Sequence, residues 1–326
     1  MNPTKTDFEA LFEHRLSDDE MREFLLSLTL NDETSSSMIA TAAEVMKRHA
    51  LALDVAPELK EKLIDVVGTG GDKSGSFNVS STVSVLLASC GAYVAKHGNR
   101  SITSKSGSAD VLEHLGIKLD LSLDKSAKLL EETGFTFLFA QYHHPAMKFI
   151  MPIRRSIPEK TVFNILGPLT NPVGLSKLLL GVFDEVFVSK MAEAAQMGGV
   201  KSAIVVSSRE KMDEISISDI TYAAQLKDDR IDYFEIDPER YGIRKAPFEA
   251  ILGGDVEKNA KIFRDVLYNR ATDPQRDMVL INAAYALIAD GMASDVQEAL
   301  EIAREAIFSG KAARKLDQIV SVSSKL

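Results

Sequence analysis

The chain has one cysteine, Cys90, in 326 residues, which excludes an internal disulfide and fits a reducing compartment. That cysteine closes an apolar stretch of helical pattern, 83–90, so a packed thiol is expected there and not a nucleophile. No uninterrupted apolar run approaches the roughly 20 residues that span a bilayer, and Met1-Asn-Pro-Thr-Lys-Thr-Asp7 lacks the basic-then-apolar order of a signal peptide. Positive charge is in deficit. Lys and Arg number 38 against 47 Asp and Glu, a formal charge of −9, which argues against general affinity for nucleic acid or an anionic membrane. No internal repeat, low-complexity tract or flexible linker is visible. With 45% hydrophobic and 26% charged residues, the expectation is a soluble, cytoplasmic globular protein, of about two domains by length.

Residues 1–62 are helical in pattern, without a convincing strand. Ser17-Asp-Asp-Glu20 is a capping box opening a helix through Leu28, with Met21, Phe24, Leu25 and Leu28 on one face. A second helix over about 32–48 has Met38, Ala42, Val45 and Met46 as its apolar stripe. From 63 onward the texture changes. Short apolar runs at 63–67, 92–95, 135–139, 178–182 and 203–206 read as strands, and helices fall near 78–90, 106–115, 124–133 and 185–197. The alternation predicts an α/β fold class: a small N-terminal all-α domain, then a larger α/β domain with a mostly parallel central sheet covered by helices. Residues 228–237 read as a hairpin or strand region. Helices near 255–268, 275–291 and 295–308, stopped by Gly310, are expected to cover the sheet and give few residues to a site.

Asp65-Val-Val-Gly-Thr-Gly-Gly-Asp72 continues into Lys73-Ser-Gly-Ser76-Phe-Asn78-Val-Ser80-Ser81, a strand that breaks into a glycine loop and feeds a helix. Glycines let backbone N–H groups approach an anion without Cβ interference, and a helix start adds free donors and partial positive charge. Alone, the segment reads equally well as a glycine turn with an Asn/Ser cap. Lys96-His-Gly-Asn-Arg-Ser-Ile-Thr-Ser104-Lys-Ser-Gly-Ser108-Ala-Asp110 opens from the next strand. It too should lie at the carboxyl edge of the sheet, where ligands gather, as a second polyanion surface. Asp213-Glu214 follows a further strand. Such a pair is most often solvated surface, but these are hard oxygen ligands suited to Mg²⁺. His143 and His144 are neighbours, not an i, i+4 helical pair, so a zinc reading is rejected. Arg154 or Arg155 would suit a planar carboxylate through a bidentate fork, or could simply decorate a helix.

Together, Gly68-Thr-Gly-Gly-Asp72, Asn78-Val-Ser80, Lys96-His-Gly-Asn-Arg100, Ser106-Gly-Ser-Ala-Asp110, His144-Pro-Ala-Met147, Phe163-Asn-Ile-Leu-Gly-Pro-Leu-Thr-Asn-Pro172 and Asp213-Glu214 closely resemble the anthranilate phosphoribosyltransferase family of tryptophan biosynthesis. The match runs in order from about residue 8 into the C-terminal helices. The resemblance implies Mg²⁺-dependent transfer of the 5-phosphoribosyl group from phosphoribosyl pyrophosphate (PRPP) to anthranilate, with two Mg²⁺ ions per subunit. It implies a homodimer with no nucleic-acid or membrane partner. A small helical domain, 1–62, would be joined by a helical segment near 155–177 and hinge on the large domain, 63–326.

By position, the resemblance assigns PRPP binding to Gly68, Gly71, Asp72, Ser76, Asn78, Val79, Ser80, Ser81, Lys96, His97, Gly98, Asn99, Arg100, Ser101, Ile102, Thr103, Ser104 and Ser108. It assigns metal ligation to Ser80, Asp213 and Glu214. Anthranilate contacts fall on Gly68, Asn99 and Arg154, with His144 and the Gly167-Pro168 turn lining the approach. No general base is assigned. Three places depart from the family pattern: Ser81 stands for the usual Thr, Glu210-Lys211-Met212 for Asp-Gly-Leu, and Ile157-Pro158-Glu159-Lys160-Thr161 for Leu-Gly-x-Arg-Thr. Pyrimidine-nucleoside phosphorylases share the fold and a glycine-rich phosphate loop, and a nucleic-acid-binding relative is the non-enzymatic rival. The Asn78-Val-Ser80, Lys96–Arg100 and Asp213-Glu214 set favours a pyrophosphorylated ribose, and the charge of −9 counts against nucleic acid.

Overall fold

The computed structural model describes residues 3–100 and 106–326; Ser101, Ile102, Thr103 and Ser104, among the expected PRPP contacts, lie outside the described residues. The chain opens with α1 (Lys5–Phe12), which the sequence pattern did not reveal, and α2 (Asp18–Ser27). The predicted capping box forms: the Ser17 N–H donates to Glu20 Oε2 at 2.9 Å, and Glu20 N–H donates back to Ser17 Oγ. Helix α3 (Ser36–Arg48) starts later than expected because Ser35, whose hydroxyl accepts from Met38 N–H, is its cap. A short α4 (Pro57–Lys60) leads into the sheet.

The next elements alternate as the sequence predicts: β1 (Leu63–Gly68), α5 (Val79–Cys90), β2 (Tyr93–Gly98), α6 (Ser108–His114), α7 (Leu123–Thr133) and β3 (Phe135–Phe139). Helices α8 (Ala140–His143) and α9 (Met147–Arg155) precede β4 (Lys177–Gly181), α10 (Val186–Met197) and β5 (Ser202–Ser208). Among the described residues these strands, with β6 (Thr221–Lys227) and β7 (Arg230–Ile236), form a seven-stranded sheet in the order β3-β2-β1-β4-β5-β6-β7. The first five are parallel and β6 and β7 antiparallel. The expected hairpin at 228–237 is therefore half of one. Its turn is Asp228-Asp229, both left-handed (φ 50° and 58°) as a tight two-residue connection requires. Strand β6, which reads Thr-Tyr-Ala-Ala-Gln-Leu-Lys, lacks the apolar run that marks β1 to β5.

Side-chain alternation divides the core into two layers. Ile64, Val66, Val94, Phe135, Phe137, Leu179 and Ile204 face α5 and the C-terminal helices α11 (Val256–Leu267), α12 (Asp273–Asp290) and α13 (Val296–Phe308). On the other face Leu63, Ala95, Leu138, Leu178, Leu180 and Val205 meet α10 and the side chains Phe8, Leu25, Ile39 and Val45 of α1 to α3. Each large side chain so buried contributes about 1.5–3 kcal/mol. Helix α12 is buried on nearly every side and lies against α5, as expected of a helix apolar all round. Gly310 (φ 73°) does end α13, but it also begins α14 (Lys311–Lys325), an unpredicted helix packed on α5 and α7.

Candidate active site

Strands β1 and β2 pair only at Leu63↔Tyr93 and Ile64↔Val94, whereas β1 stays paired with β4 as far as Gly68↔Gly181. Beyond Ile64 the ladder between β1 and β2 is replaced by side chains. Lys96 Nζ donates to Val66 O at 2.7 Å, and His97 N–H donates to the Asp65 carboxylate at 3.2 Å. Asn171 Nδ2 donates to both Asp65 Oδ2 (2.9 Å) and Ala95 O (2.8 Å). Toward the carboxyl edge of the sheet, the edge at which such sheets hold ligands, the β1–β2 ladder thus gives way to buried side-chain hydrogen bonds. Burial raises the Asp65 carboxyl to about 6, against the pull of Lys96. Burial lowers the Lys96 ammonium, which Asp65, Glu214 and Asp213 oppose.

The segment 96–98 was expected in a loop but is the end of β2, and this decides where its residues point. Lys96 and His97 lie on opposite faces of the sheet. Lys96 is among the carboxylates, while the His97 ring has Nδ1 3.2 Å from Gly167 O and its centroid 5.2 Å from that of His144. A carbonyl at that distance requires the Nδ1–H tautomer, which leaves His97 Nε2 buried with no partner. Burial and the neighbouring His144 push His97 down to about 3; burial and His143 push His144 down to about 4. Neither His144 ring nitrogen has a hydrogen bond, although the Thr170 backbone is close enough to pull its pKa slightly upward. Gly98 must be glycine: a Cβ there would sit 2.7 Å from the Phe137 ring.

The glycine loop takes left-handed backbone at Gly70, Gly71, Lys73 and Gly75 (φ 65°, 74°, 60° and 73°). From a sequence separation of 143, Asp213 Oδ2 accepts the Gly70 N–H at 2.7 Å. Its approach explains two strand-end glycines: a Cβ on Gly68 would lie 2.2 Å from Asp213 Oδ2, and one on Gly181 1.6 Å from Asp213 O. Glu214 Oε1 accepts from both the N–H and the hydroxyl of Ser80 at 3.2 Å, and Glu214 Oε2 from the Ser76 hydroxyl at 3.4 Å. Glu214 therefore caps the start of α5, where a negative charge is favoured. Burial, and then repulsion from Asp72, pushes Asp213 up to about 7; burial and Asp213 push Glu214 well above the usual carboxylate range. A divalent cation would relieve that crowding, so the donor set fits one. Among the described residues no group of three or more His, Cys, Asp or Glu forms a metal cage.

The remaining expected residues fall into three groups. Ser76, Asn78, Val79 and Ser80 join the cradle, and the buried Ser81 hydroxyl beside them has no partner among the described residues. Asn99 Oδ1 accepts from Arg100 N–H and Gln141 Nε2, and Ser108 begins α6. Arg100 turns from the cradle to Asp110 (2.9 Å) and Glu113 (2.6 Å) of α6. Arg154 at the end of α9 is half-buried, which lowers it to about 10, and its guanidinium donates to Met151 Sδ at 3.9 Å. Among the described residues it has no carboxylate partner, and no hydrogen bond ties it to the cradle.

Sequence reasoning missed two asparagines. Asn259 of α11 donates to Asn78 Oδ1 (2.9 Å) and Ser106 Oγ (2.6 Å) and accepts from Gly254 N–H. Asn282 of α12 holds Ile215 through both its N–H and its carbonyl, fixing the backbone beside Glu214. Each is a buried polar residue within the apolar surface of a helix, the one signal that could have exposed it. The C-terminal helices thus give the site few residues, as expected, yet those residues set its walls.

Residues 60–313 match the glycosyl transferase family a/b domain. The chain is 41% identical over 317 residues to the anthranilate phosphoribosyltransferase of Rhodopseudomonas palustris (strain BisA53), covering 97% of this chain and 92% of that protein. The chain belongs to the anthranilate phosphoribosyltransferase family. A relative of the same name from Aquifex aeolicus is 40% identical over 314 residues, 96% of this chain and 91% of that one. Among solved structures, the anthranilate phosphoribosyltransferase of Thermus thermophilus superposes with a TM-score of 0.91 at 33% identity, covering 99% of this chain and 97% of that one. The Saccharomyces cerevisiae enzyme in complex with PRPP and Mg gives a TM-score of 0.87 at 27% identity, covering 99% and 94%.

Against the family pattern, Lys211 stands at the usual glycine and keeps a left-handed backbone, φ 63°, while pairing with Asp184 at 2.9 Å. Lys160 stands at the usual arginine. Its ammonium donates to Gly71 O at 2.9 Å and lies 3.3 Å from the centroid of the Phe183 ring.

Proposed function

We infer that this protein transfers the 5-phosphoribosyl group of PRPP to the amine of anthranilate, giving N-(5-phosphoribosyl)anthranilate and pyrophosphate. The observation that carries the reading is the docking of Asp213 and Glu214 onto Gly70 N–H and Ser80. It supports one site built from a phosphate cradle and two hard carboxylates. Gly68, Gly71, Asp72, Ser76, Asn78 and Ser80 would hold PRPP, and Ser80, Asp213 and Glu214 would hold Mg²⁺. Bound there, Mg²⁺ neutralises charge on the departing pyrophosphate. The carboxylates divide into Glu214 with Ser76 and Ser80, and Asp213 with Asp72 and Gly70, which supports two ions per subunit.

The chain's own part is positioning. An aromatic amine is neutral near pH 7, so its lone pair needs no strong base, and catalysis rests on alignment and on charge stabilisation at the leaving group. The half-buried Arg154, without a carboxylate partner among the described residues, would take the anthranilate carboxylate through a bidentate fork. Asn99 and Gly68 would place the amine, while neutral His97 and His144 with the Gly167-Pro168 turn line a dry approach.

We also propose that residues 1–62, joined through 155–177, hinge as a helical unit on 63–326. The Thr29↔Thr161 bridge and the backbone hydrogen bonds from Leu30 to Lys160 and from Val162 to Leu28 support that grouping. A homodimer through this unit is supported by its exposed Leu26 and Leu51 and by the neighbouring Tyr142 and Phe149. The cytoplasm suits a protein whose sole thiol is free. Mixing the protein with anthranilate, PRPP and Mg²⁺ should quench anthranilate fluorescence as product forms. Unchanged fluorescence, with phosphorolysis of thymidine or uridine instead, would overturn the reading.

A further inference from the structure

Lys160 joins three parts of the chain, one through its backbone and two through its side chain. Its carbonyl accepts the Leu30 N–H at 2.8 Å and the adjacent Thr161 bridges to Thr29, so its backbone is held by the segment after α2. Its ammonium reaches across to Gly71 O and over the Phe183 ring, just beyond β4. Asp213 holds the Gly70 N–H one residue earlier, and at Gly71 the neighbour is Lys160. A Cβ built on Gly70 would meet nothing within 4 Å, and one on Gly71 would meet only Nζ and Cε of Lys160, at 3.8 and 3.9 Å. Gly71 has no side chain, and its left-handed φ of 74° is one that a free glycine readily leaves.

We propose that Lys160 is a positioning residue for the pyrophosphate end of PRPP. It fixes the peptide plane between Gly71 and Asp72. In a trans peptide the N–H points opposite to the carbonyl, so the Gly71 carbonyl turned to Lys160 aims the Asp72 N–H the other way, as a donor for a phosphate oxygen. No backbone hydrogen bond among the described residues takes up that N–H. The cation stacked on Phe183 gains from the ring face as well as from the carbonyl, which holds the long stem in one place. Arginine, the residue of the family pattern, can make the same two contacts, whereas an apolar side chain of equal length can make neither.

The inference rests on the proposed phosphoribosyl transfer and is tested by steady-state kinetics of the full-length protein. Lys160→Met should raise the KM for PRPP about tenfold and leave that for anthranilate within about twofold, as expected for loss of one charge-assisted hydrogen bond. Lys160→Arg should recover most of the loss. A residue that merely supports the fold would lower the substrate-free melting temperature and raise both KM values together, and that result in Lys160→Met would overturn the assignment. If Lys160→Met folds poorly, Lys160→Gln is read by the same ratio of the two KM values. No turnover in the unsubstituted protein would count against the transfer reading. Turnover with an unshifted PRPP KM in Lys160→Met would overturn this inference alone.

Discussion

Asn171 donates to Asp65 at 2.9 Å across a sequence separation of 106, and the same amide nitrogen donates to Ala95 O at 2.8 Å. One side chain thus stands where the ladder between β1 and β2 has parted. The buried carboxylate it contacts also takes the His97 N–H, so the gap in the ladder is filled by buried polar groups that satisfy one another.

Removing that amide exposes the cost. Asn171→Ala leaves Asp65 and the Ala95 carbonyl short of a donor in a buried place, a loss of about 2–4 kcal/mol. Urea denaturation should show it as a lower midpoint with an unchanged slope, and a midpoint equal to that of the unsubstituted protein would refute the wedge.

Asp65 also predicts a pH dependence. Its carboxyl is raised from an ordinary 3.8 to about 6 on folding, so the folded state binds the proton more tightly than the unfolded chain. The stability this group contributes is complete below about 3.8 and lost as pH rises through about 6, a change of up to about 3 kcal/mol. Asp65→Asn cannot ionise. Its stability relative to the unsubstituted protein should therefore improve between pH 4 and pH 7, and a pH-independent difference would contradict the raised pKa.

At the proposed metal site, Asp213→Ala with Glu214→Ala should abolish Mg²⁺-dependent turnover while the protein stays folded, because it removes two carboxylates that crowd each other in the absence of a cation. Mg²⁺ should raise the melting temperature of the unsubstituted protein and leave the double variant unmoved. Full activity in the double variant would remove the metal assignment.

Gly68→Ala tests the close approach beneath that pair. The added Cβ would fall 2.2 Å from Asp213 Oδ2, so Asp213 must shift, and the Mg²⁺ concentration for half-maximal rate should rise at least about tenfold. An unaltered Mg²⁺ response would show that Asp213 is free to move without consequence.

Arg154→Ala should raise the KM for anthranilate about a hundredfold and that for PRPP by less than about threefold, in keeping with loss of a charge-assisted fork. Equal effects on both substrates would place Arg154 elsewhere in the mechanism.

Much of this was written in local pattern. The capping box at Ser17 and Glu20, the apolar runs of β1 to β5 and the glycine loop before α5 depend on neighbours in sequence, and each formed close to where it was expected. Membership of the candidate site was legible in part, because Gly68–Asp72, Asn78–Ser80 and Asp213-Glu214 each end or follow a parallel strand of one sheet. Strand β6 and helix α14 were not legible. An alanine-rich strand carries little period-2 contrast, and Gly310 ends one helix with the same φ that starts the next.

By itself the sequence determined the alternation of strands and helices, the cradle's backbone freedom and the residue types of the site, since these follow from side-chain shape, periodicity and hydrogen-bonding capacity along a short stretch of chain. Only the tertiary structure decided that β2 continues through Lys96 and His97, sending the cation to the carboxylates and the imidazole to Gly167. It alone brought Asn171 to Asp65, Asn259 to Asn78 and Lys160 to Gly71. Those contacts join residues tens to hundreds of positions apart, and buried polar groups find their partners only once the packing of the whole sheet has fixed which of them share a place without water.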